Sequence, residues 1–432
     1  MKKSQITFFS LVLMCASANA QNEDYDTCQV TYKACTSNFM DQYEPYINTY
    51  EHDPEECNNN IKEWTKLEYE FVHCQDDYNS CKGNDVSLWE RIHSAPDISL
   101  SAENPASNGL SKIHIQDISE EAETIRNLKS LLIARNGKLI FEDNYEFNEN
   151  PEPHHIFSIT KSITSLLIGI AIDQDYLESE EILIKPFFKE YYKGKHDARK
   201  DKITIRHLLT MSSTINFSDN NNWYDPANYW KYSRDDNAHD WVLNKKMLLN
   251  YEPGDQWLYG TPNIDLLSSI LASATDMTVI EFAEKNLFKP LGINKYIWAH
   301  DSAENYYGGF TLYLRPHALM RIGQMVLDGG VYDGNRVVSE EWLQKSLYNQ
   351  FPLGGEESWE YGYLWWRFRV GDYQVISALG WGGQQITLVP SLDLIVITTA
   401  NAHLCSRKEQ DDQFNEIMDL AKSIILSIDK KE

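Results

Sequence analysis

Ser158 and Lys161 stand three residues apart in "HHIFSITKSITSLLIGIAI", which runs from His154 to Ile172 and is otherwise mostly apolar. On a helix that spacing puts the hydroxyl and the amine on one face, about one turn apart. A lysine amine set among apolar neighbours can share in activating a hydroxyl, so the pair reads as a nucleophile and its partner. At a helix N-terminus the serine would also meet backbone N–H groups that favour developing negative charge. The same spacing recurs at Ser427-Ile428-Asp429-Lys430 in the charged tail, where it carries no chemistry. Ser158 as a helix cap and Lys161 as a snorkelling side chain would explain the pair equally well.

Two later stretches add to it. "YEPGDQWLYGTPNIDLLSSILASATDM" sets Tyr259 just before a helix that Thr261 can cap and Pro262 can open. A phenol there can relay a proton between the serine and a leaving group. "ALGWGGQQITLV" places Gly380, Gly382 and Gly383 in a strand, which glycine weakens while letting a ligand approach the backbone. The three stretches together resemble the serine β-lactamase-like hydrolases. That superfamily includes class C β-lactamases, penicillin-binding carboxypeptidases, related esterases and 6-aminohexanoate-dimer hydrolases. The likeness runs from about Ser130 to Thr399, through "ITIRHLLTMSS", "NLFKPLGI", "MRIGQMVLDGGVYDG" and "GWGGQQITLVP".

The resemblance implies roles. Ser158 matches the nucleophile, Lys161 its lysine partner, and Tyr259 the motif tyrosine that acts as base and later as acid. Deprotonation of the serine is assigned to lysine and tyrosine jointly. The backbone N–H groups of Ser158 and of Gln384, which follows Gly383, match the oxyanion donors. Two positions depart from the pattern. Thr261 stands where an asparagine usually follows the tyrosine, with Asn263 two residues on; Trp381 stands where a lysine or histidine usually leads the glycine pair. Trp381 cannot hold a substrate carboxylate, so poor or no β-lactamase action is expected. An uncharged ester or small amide suits a tryptophan wall better. A ligand-binding or partner-binding protein on the same fold is the alternative reading. No cofactor is implied, and the spacing of His and Cys gives no metal site.

Several elements must position these groups. "SLLIARNGKLIFEDNYE" is two apolar runs around Asn136-Gly137, a hairpin signal. From about 160 to 350 the periodicity is mostly helical. Within it Ile163, Leu166, Leu167 and Ile170 form a stripe that buries one side of the Ser158 helix. "WWRFRVGDYQVISALGWGGQQITLVPSLDLIVITTAN" reads as three strands broken at Gly371-Asp372 and Pro390-Ser391, and an amphipathic helix follows. The expected fold class is α+β. It comprises a β-lactamase/transpeptidase-like antiparallel sheet flanked by helices, with an inserted helical subdomain, preceded by a disulfide-stapled helical hairpin. Between 216 and 241, Trp223 and Tyr224 with their aromatic neighbours either form a substrate platform or pack the loop down.

Residues 1–20 read as a signal peptide. Lys2 and Lys3 precede an apolar run too short to span a bilayer, then Ala18-Asn19-Ala20 offers a cleavage site. A periplasmic or secreted protein is expected, with no membrane span in the mature chain. The remaining cysteines suit such a compartment. Cys28 and Cys35, and Cys74 and Cys81, share a spacing close to two helical turns. A hairpin over residues 21–83 would then pair Cys28 with Cys81 and Cys35 with Cys74, leaving Cys57 for Cys405; what protein partner that hairpin serves is unknown. Residues 84–112 read as a linker and 113–430 as the hydrolase domain. The formal charge of −25 repels phosphate backbones and anionic lipid, which excludes nucleic acid as a partner.

Overall fold

The sheet begins at the Asn136-Gly137 turn. Both residues take positive φ, 53° and 72°, which matches the twist of β1 (Leu128–Arg135) and β2 (Lys138–Asn144). The computed structural model describes residues 105–428, apart from 146–152, 192–195, 218, 220–237, 302–303, 349, 403 and 405–406. The leader, the three cysteine pairings, and Trp223 and Tyr224 lie outside the described residues.

Along β1, Leu131 and Ile133 enter one apolar core, while Leu132 and Ala134 enter the other. That period of two means the sheet is buried on both faces. The C-terminal half supplies the rest: β8 (Phe351–Gly354), β9 (Trp359–Tyr361), β10 (Trp366–Val370), β11 (Tyr373–Gly380), β12 (Gln384–Val389) and β13 (Leu394–Ala400). The order is β2-β1-β13-β12-β11-β10-β9-β8, antiparallel throughout. Strands from both ends of the region thus close one sheet, as expected.

One boundary differs from the sequence reading. The run expected as a single strand from 373 to 389 is two strands, because Gly382 and Gly383 take φ of 77° and 94° and turn the chain over. Glycine is the residue that adopts those angles without strain.

Helices α1 (Lys112–Thr124) and α9 (Arg407–Ser427) cover one face of the sheet. Pro105–Asn108 forms a 3-10 turn and Leu110 is fully buried, so residues 105–111 of the stretch read as linker pack onto this domain. On the other face lie α2 (Ile159–Asp173) and α7 (Pro316–Leu327). The helical insertion holds α3 (Ile205–Leu209), α4 (Ala238–Leu243), α5 (Pro262–Thr275) and α6 (Val279–Ala283). Between α6 and α7 come β4 (Tyr296–Trp298) and β5 (Leu312–Leu314); β5 pairs with both β4 and β3 (His154–His155). A small hairpin of β6 (Val331–Tyr332) and β7 (Asn335–Arg336) leads to α8 (Glu340–Leu347). Among the described residues no single helix is long and apolar enough to cross a membrane.

Helix α2 is buried all round from Ile159 to Ala171, not along one stripe. It lies between the sheet and α5, and Trp342 of α8 sits directly against Gly169, where a Cβ would fall 2.2 Å from the indole. A helix with no solvent face is largely apolar, and buried hydroxyls on it bond to backbone, Thr160 to Phe157 O, Ser162 to Leu364 O and Thr164 to Gly308 O.

Candidate active site

The turn that carries Ser158 is built by pairing and strain together. β3 is held to β5, and the His155 ring stacks between Tyr313, at 4.7 Å, and Phe157, at 3.8 Å. Phe157 adopts φ of +48°, an uncommon angle for a bulky side chain, and the chain enters α2 straight after it. Ser158 occupies the N-cap position, yet its side chain makes no cap hydrogen bond. Its Oγ instead accepts from Lys161 Nζ at 2.8 Å. The capping explanation for Ser158 therefore fails on geometry.

Lys161 does not snorkel. The residue is 1% exposed, and its Nζ also donates to Gly309 O at 2.7 Å. Neighbouring bonds brace that acceptor: Gly309 N donates to Asp265 Oδ1 at 3.1 Å, and Thr164 Oγ1 donates to Gly308 O at 2.8 Å. A buried ammonium is tolerated only with such partners. The Tyr259 ring stands on its other side, with Nζ 5.0 Å from the ring centroid. The structure brings Ser158, Lys161 and Tyr259 together, although Tyr259 meets the lysine through its ring.

At the start of α5 the reading needs correction. Pro262 opens the helix as expected, but the Thr261 side chain does not cap it. The Thr261 hydroxyl donates to Asp219 Oδ2 at 2.6 Å, and its backbone N–H reaches the same carboxylate at 3.0 and 3.2 Å. Burial pushes the Asp219 carboxyl above its ordinary value, against the opposing pull of the Lys161 charge and the Thr261 hydrogen bonds. Asn263, a candidate substrate contact, is turned away: its Oδ1 accepts from Ser213 Oγ at 2.9 Å inside the helical insertion.

The glycine turn also serves packing more than ligand access. A Cβ on Gly380 would lie 2.3 Å from Ile156 O, one on Gly382 2.4 Å from Ala402 Cβ, and one on Gly383 2.3 Å from Ile417 Cδ1. Gly380 lets the Ser158 turn approach β11, Gly382 lets the segment after β13 pass at Ala402, and Gly383 lets α9 close over the hairpin. Gln384 is fully buried; its side chain donates to Trp381 O at 3.1 Å and Ala400 O at 2.8 Å, and accepts from Ala400 N at 3.0 Å. Trp381 lines the cavity beside Ser158, whereas Gly383 and the Gln384 side chain do not.

That cavity has a volume of about 380 Å³. Ser158, Tyr259, Asp219 and Thr261 supply polar groups to its lining, and Trp257, Trp359, Trp366 and Trp381 wall much of the rest. Trp366 meets Trp257 at 5.9 Å, Trp359 at 5.8 Å and Tyr259 at 5.9 Å, so these rings form one continuous surface. Sequence reading missed Asp219, Trp257, Trp359, Trp366 and the α9 residues Gln410, Asp411 and Phe414. The only signals were the tryptophan density near 359–366 and the i, i+4 spacing of Gln410 and Phe414. Among the described residues no group of three or more His, Cys, Asp or Glu could hold a metal ion.

With this geometry in place, comparison with known proteins is informative. A 6-aminohexanoate-dimer hydrolase from Paenarthrobacter ureafaciens is 23% identical over 304 residues, covering 62% of this chain and 71% of that one. EstCE1, a hydrolase with promiscuous acyltransferase activity, superimposes with a TM-score of 0.57 at 13% identity, over 72% of this chain and 100% of that one. A penicillin binding protein from Bacillus halodurans gives 0.55 at 15% identity, over 71% and 99%. At such identities the solved structures speak for the fold alone. A family model described as Beta-lactamase matches residues 129–414, from the first sheet strand to the aromatic wall on α9. The chain therefore belongs to the Beta-lactamase family, whose members are hydrolases of the serine type.

Proposed function

We propose that this protein is an exported serine hydrolase that cleaves a neutral ester or small amide through an acyl-enzyme. The observation that carries the reading is the Ser158 hydroxyl, held by Lys161 Nζ at 2.8 Å and left uncommitted to helix capping, at the wall of an aromatic cavity. Ser158 Oγ attacks the substrate carbonyl while Lys161 and Tyr259 jointly take its proton. Oxygen charge develops near the N-terminus of α2, where the Ser158 and Gln384 backbone N–H groups are the assigned donors. Tyr259 returns a proton to the leaving group, and water then releases the acyl chain by the reverse path. Substrate binding would draw the Tyr259 hydroxyl toward Ser158, since such contacts tighten in the occupied site.

Neutral substrates are favoured because Trp381 supplies an aromatic face where a cation would hold a carboxylate. Asp411 lines the same cavity, and its carboxylate would repel an anionic group. A fluorophosphonate should label Ser158 on peptide mapping, and p-nitrophenyl ester turnover should vanish in Ser158→Ala. Saturable ligand binding with no turnover and no label would instead support a receptor built on this fold. Among esters, peptides with D-residues and a chromogenic cephalosporin, the ester should be cleaved first and the cephalosporin slowest.

A further inference from the structure

Asp219 grips the turn that carries Tyr259 from both sides. Its backbone N–H donates to Tyr259 O at 3.0 Å. Its carboxylate accepts from the Thr261 N–H at 3.0 and 3.2 Å and from the Thr261 hydroxyl at 2.6 Å. The segment before Asp219 is itself tethered. Ile215 bridges to Met247, Asn216 N donates to Lys246 O at 2.8 Å, and the buried Phe217 ring meets Trp241 at 5.5 Å. Between the two gripped residues there is little slack, since a Cβ on Gly260 would lie 3.0 Å from Phe217 O. With its main chain held this way, Tyr259 keeps only its side-chain torsions. Trp257, Tyr361 and Trp366 pack around its ring at 6.0, 6.3 and 5.9 Å.

Thr261 carries the same restraint to Lys161. A Cβ on Gly309 would fall 2.5 Å from Thr261 Cγ2, so the two residues touch, and Gly309 O is the acceptor that holds Lys161 Nζ at 2.7 Å. The bond from the Thr261 hydroxyl to Asp219 selects the rotamer that sets the threonine methyl against Gly309. One carboxylate thus fixes the phenol and the acceptor of the amine together. Resting on the hydrolase reading above, we propose that Asp219 is a positioning residue for proton transfer: it clamps Tyr259 and, through Thr261, the Gly309 acceptor of Lys161. Tyr259 then meets the leaving oxygen in the right place to give it the proton taken from Ser158 Oγ as the C–O bond breaks. Such geometry is sensitive, because a misplacement of about 1 Å can cost ~10²-fold in rate.

The test compares two butanoate esters on the full chain. p-Nitrophenoxide departs as a stable anion, whereas a benzyl alkoxide must receive a proton as it leaves. Both esters form the same acyl-enzyme, and kcat/KM reads its formation. A smaller folded fraction lowers both rates equally and leaves their ratio alone. In Asp219→Ala the p-nitrophenyl-to-benzyl ratio should rise about ten-fold, part of the ~10²–10⁴ that a missing proton donor costs. Asp219→Asn keeps an acceptor for Thr261 and should hold the ratio near the wild-type value. Thr261→Val keeps the methyl against Gly309 and loses only the hydroxyl; it should move the ratio the same way by less, and it carries the test if Asp219→Ala does not fold. An unchanged ratio in either Asp219→Ala or Thr261→Val overturns the proposal. So does a ratio that rises as far in Asp219→Asn as in Asp219→Ala, which would assign the effect to charge acting on Lys161. No wild-type turnover of either ester, or turnover that persists in Ser158→Ala, would refute the hydrolase reading and the clamp with it, whereas turnover with a flat ratio refutes the clamp alone.

Discussion

At Ser158 and Lys161 the same two residues admit an inert reading from sequence, and one atom decides between the readings. A capping serine gives its oxygen to a backbone N–H one turn on; here that oxygen takes a bond from a buried amine instead. Lys161→Met keeps the volume of the stem and removes the amine. Turnover of a neutral p-nitrophenyl ester should drop by ~10²–10⁴, the usual weight of a lost proton-transfer group. An unaltered rate would reduce Lys161 to a structural donor for Gly309. Asp219 gives a second residue-scale expectation. Its carboxylate satisfies both the N–H and the hydroxyl of Thr261. In Asp219→Ala those donors stay buried without a partner, at a cost of about 1–3 kcal/mol, readable as a lower denaturation midpoint. Asp219→Asn retains an acceptor and should lose less. Neither Asp219 nor its bonds were legible beforehand, because the contact joins residues 42 positions apart and depends on how a loop returns to α5.

Elements were read well where periodicity or turn chemistry was strong and poorly where tertiary packing decided. The Asn136-Gly137 hairpin, the Ser158 helix and the amphipathic α9 all follow from local pattern. The glycine run at 380–383 did not, since glycine in a strand and glycine in a turn look alike in sequence. What separates them is the company each missing Cβ would keep. Gly380→Ala would drive a methyl to 2.3 Å from Ile156 O, a backbone atom that can yield only by moving the turn before Ser158. Gly137→Ala meets nothing within 4 Å and suffers only from its φ of 72°. That leaves a cost of about 1–2 kcal/mol at residue 137. The substitution at 380 should destabilise further and also slow ester cleavage, which Gly137→Ala should leave alone. Equal melting losses with equal activity would show that β11 and the turn before Ser158 move independently.

For the molecule as a whole, an antiparallel sheet assembled from both chain ends was foreseeable, while the cavity between sheet, insertion and α9 was not. Its walls come from the turns that lead into α2 and α5, the Asp219, Trp257 and Phe310 segments, β9, β10, the end of β11 with the glycine turn, and α9, which lie far apart in the sequence. The same burial that makes the walls also sets how stability depends on pH. His239, on α4, bonds to Ser269 Oγ and packs near Phe188 and Tyr191. Burial lowers it from 6.5 to about 4, against a smaller opposing effect of Glu190. His207, capping α3, is likewise lowered to about 4, first by burial and then by the Arg206 charge. Both rings stay neutral in the folded protein down to about pH 4, whereas in the unfolded chain they take protons near 6.5. Between those values the unfolded state binds more protons, so stability rises with pH across the window and is lost as pH falls through it. For His239 the loss by pH 4.5 amounts to about 2–3 kcal/mol; His207 contributes less, because its ring is less deeply buried. Urea denaturation of the wild-type chain at pH 7 and pH 4.5 should reveal that loss together with whatever the carboxylates add. Comparing it with His239→Asn cancels the shared part, and the variant should lose about 2 kcal/mol less than the wild type over the same interval. Identical losses in the two proteins would mean that His239 is already protonated in the fold and that α4 is held some other way.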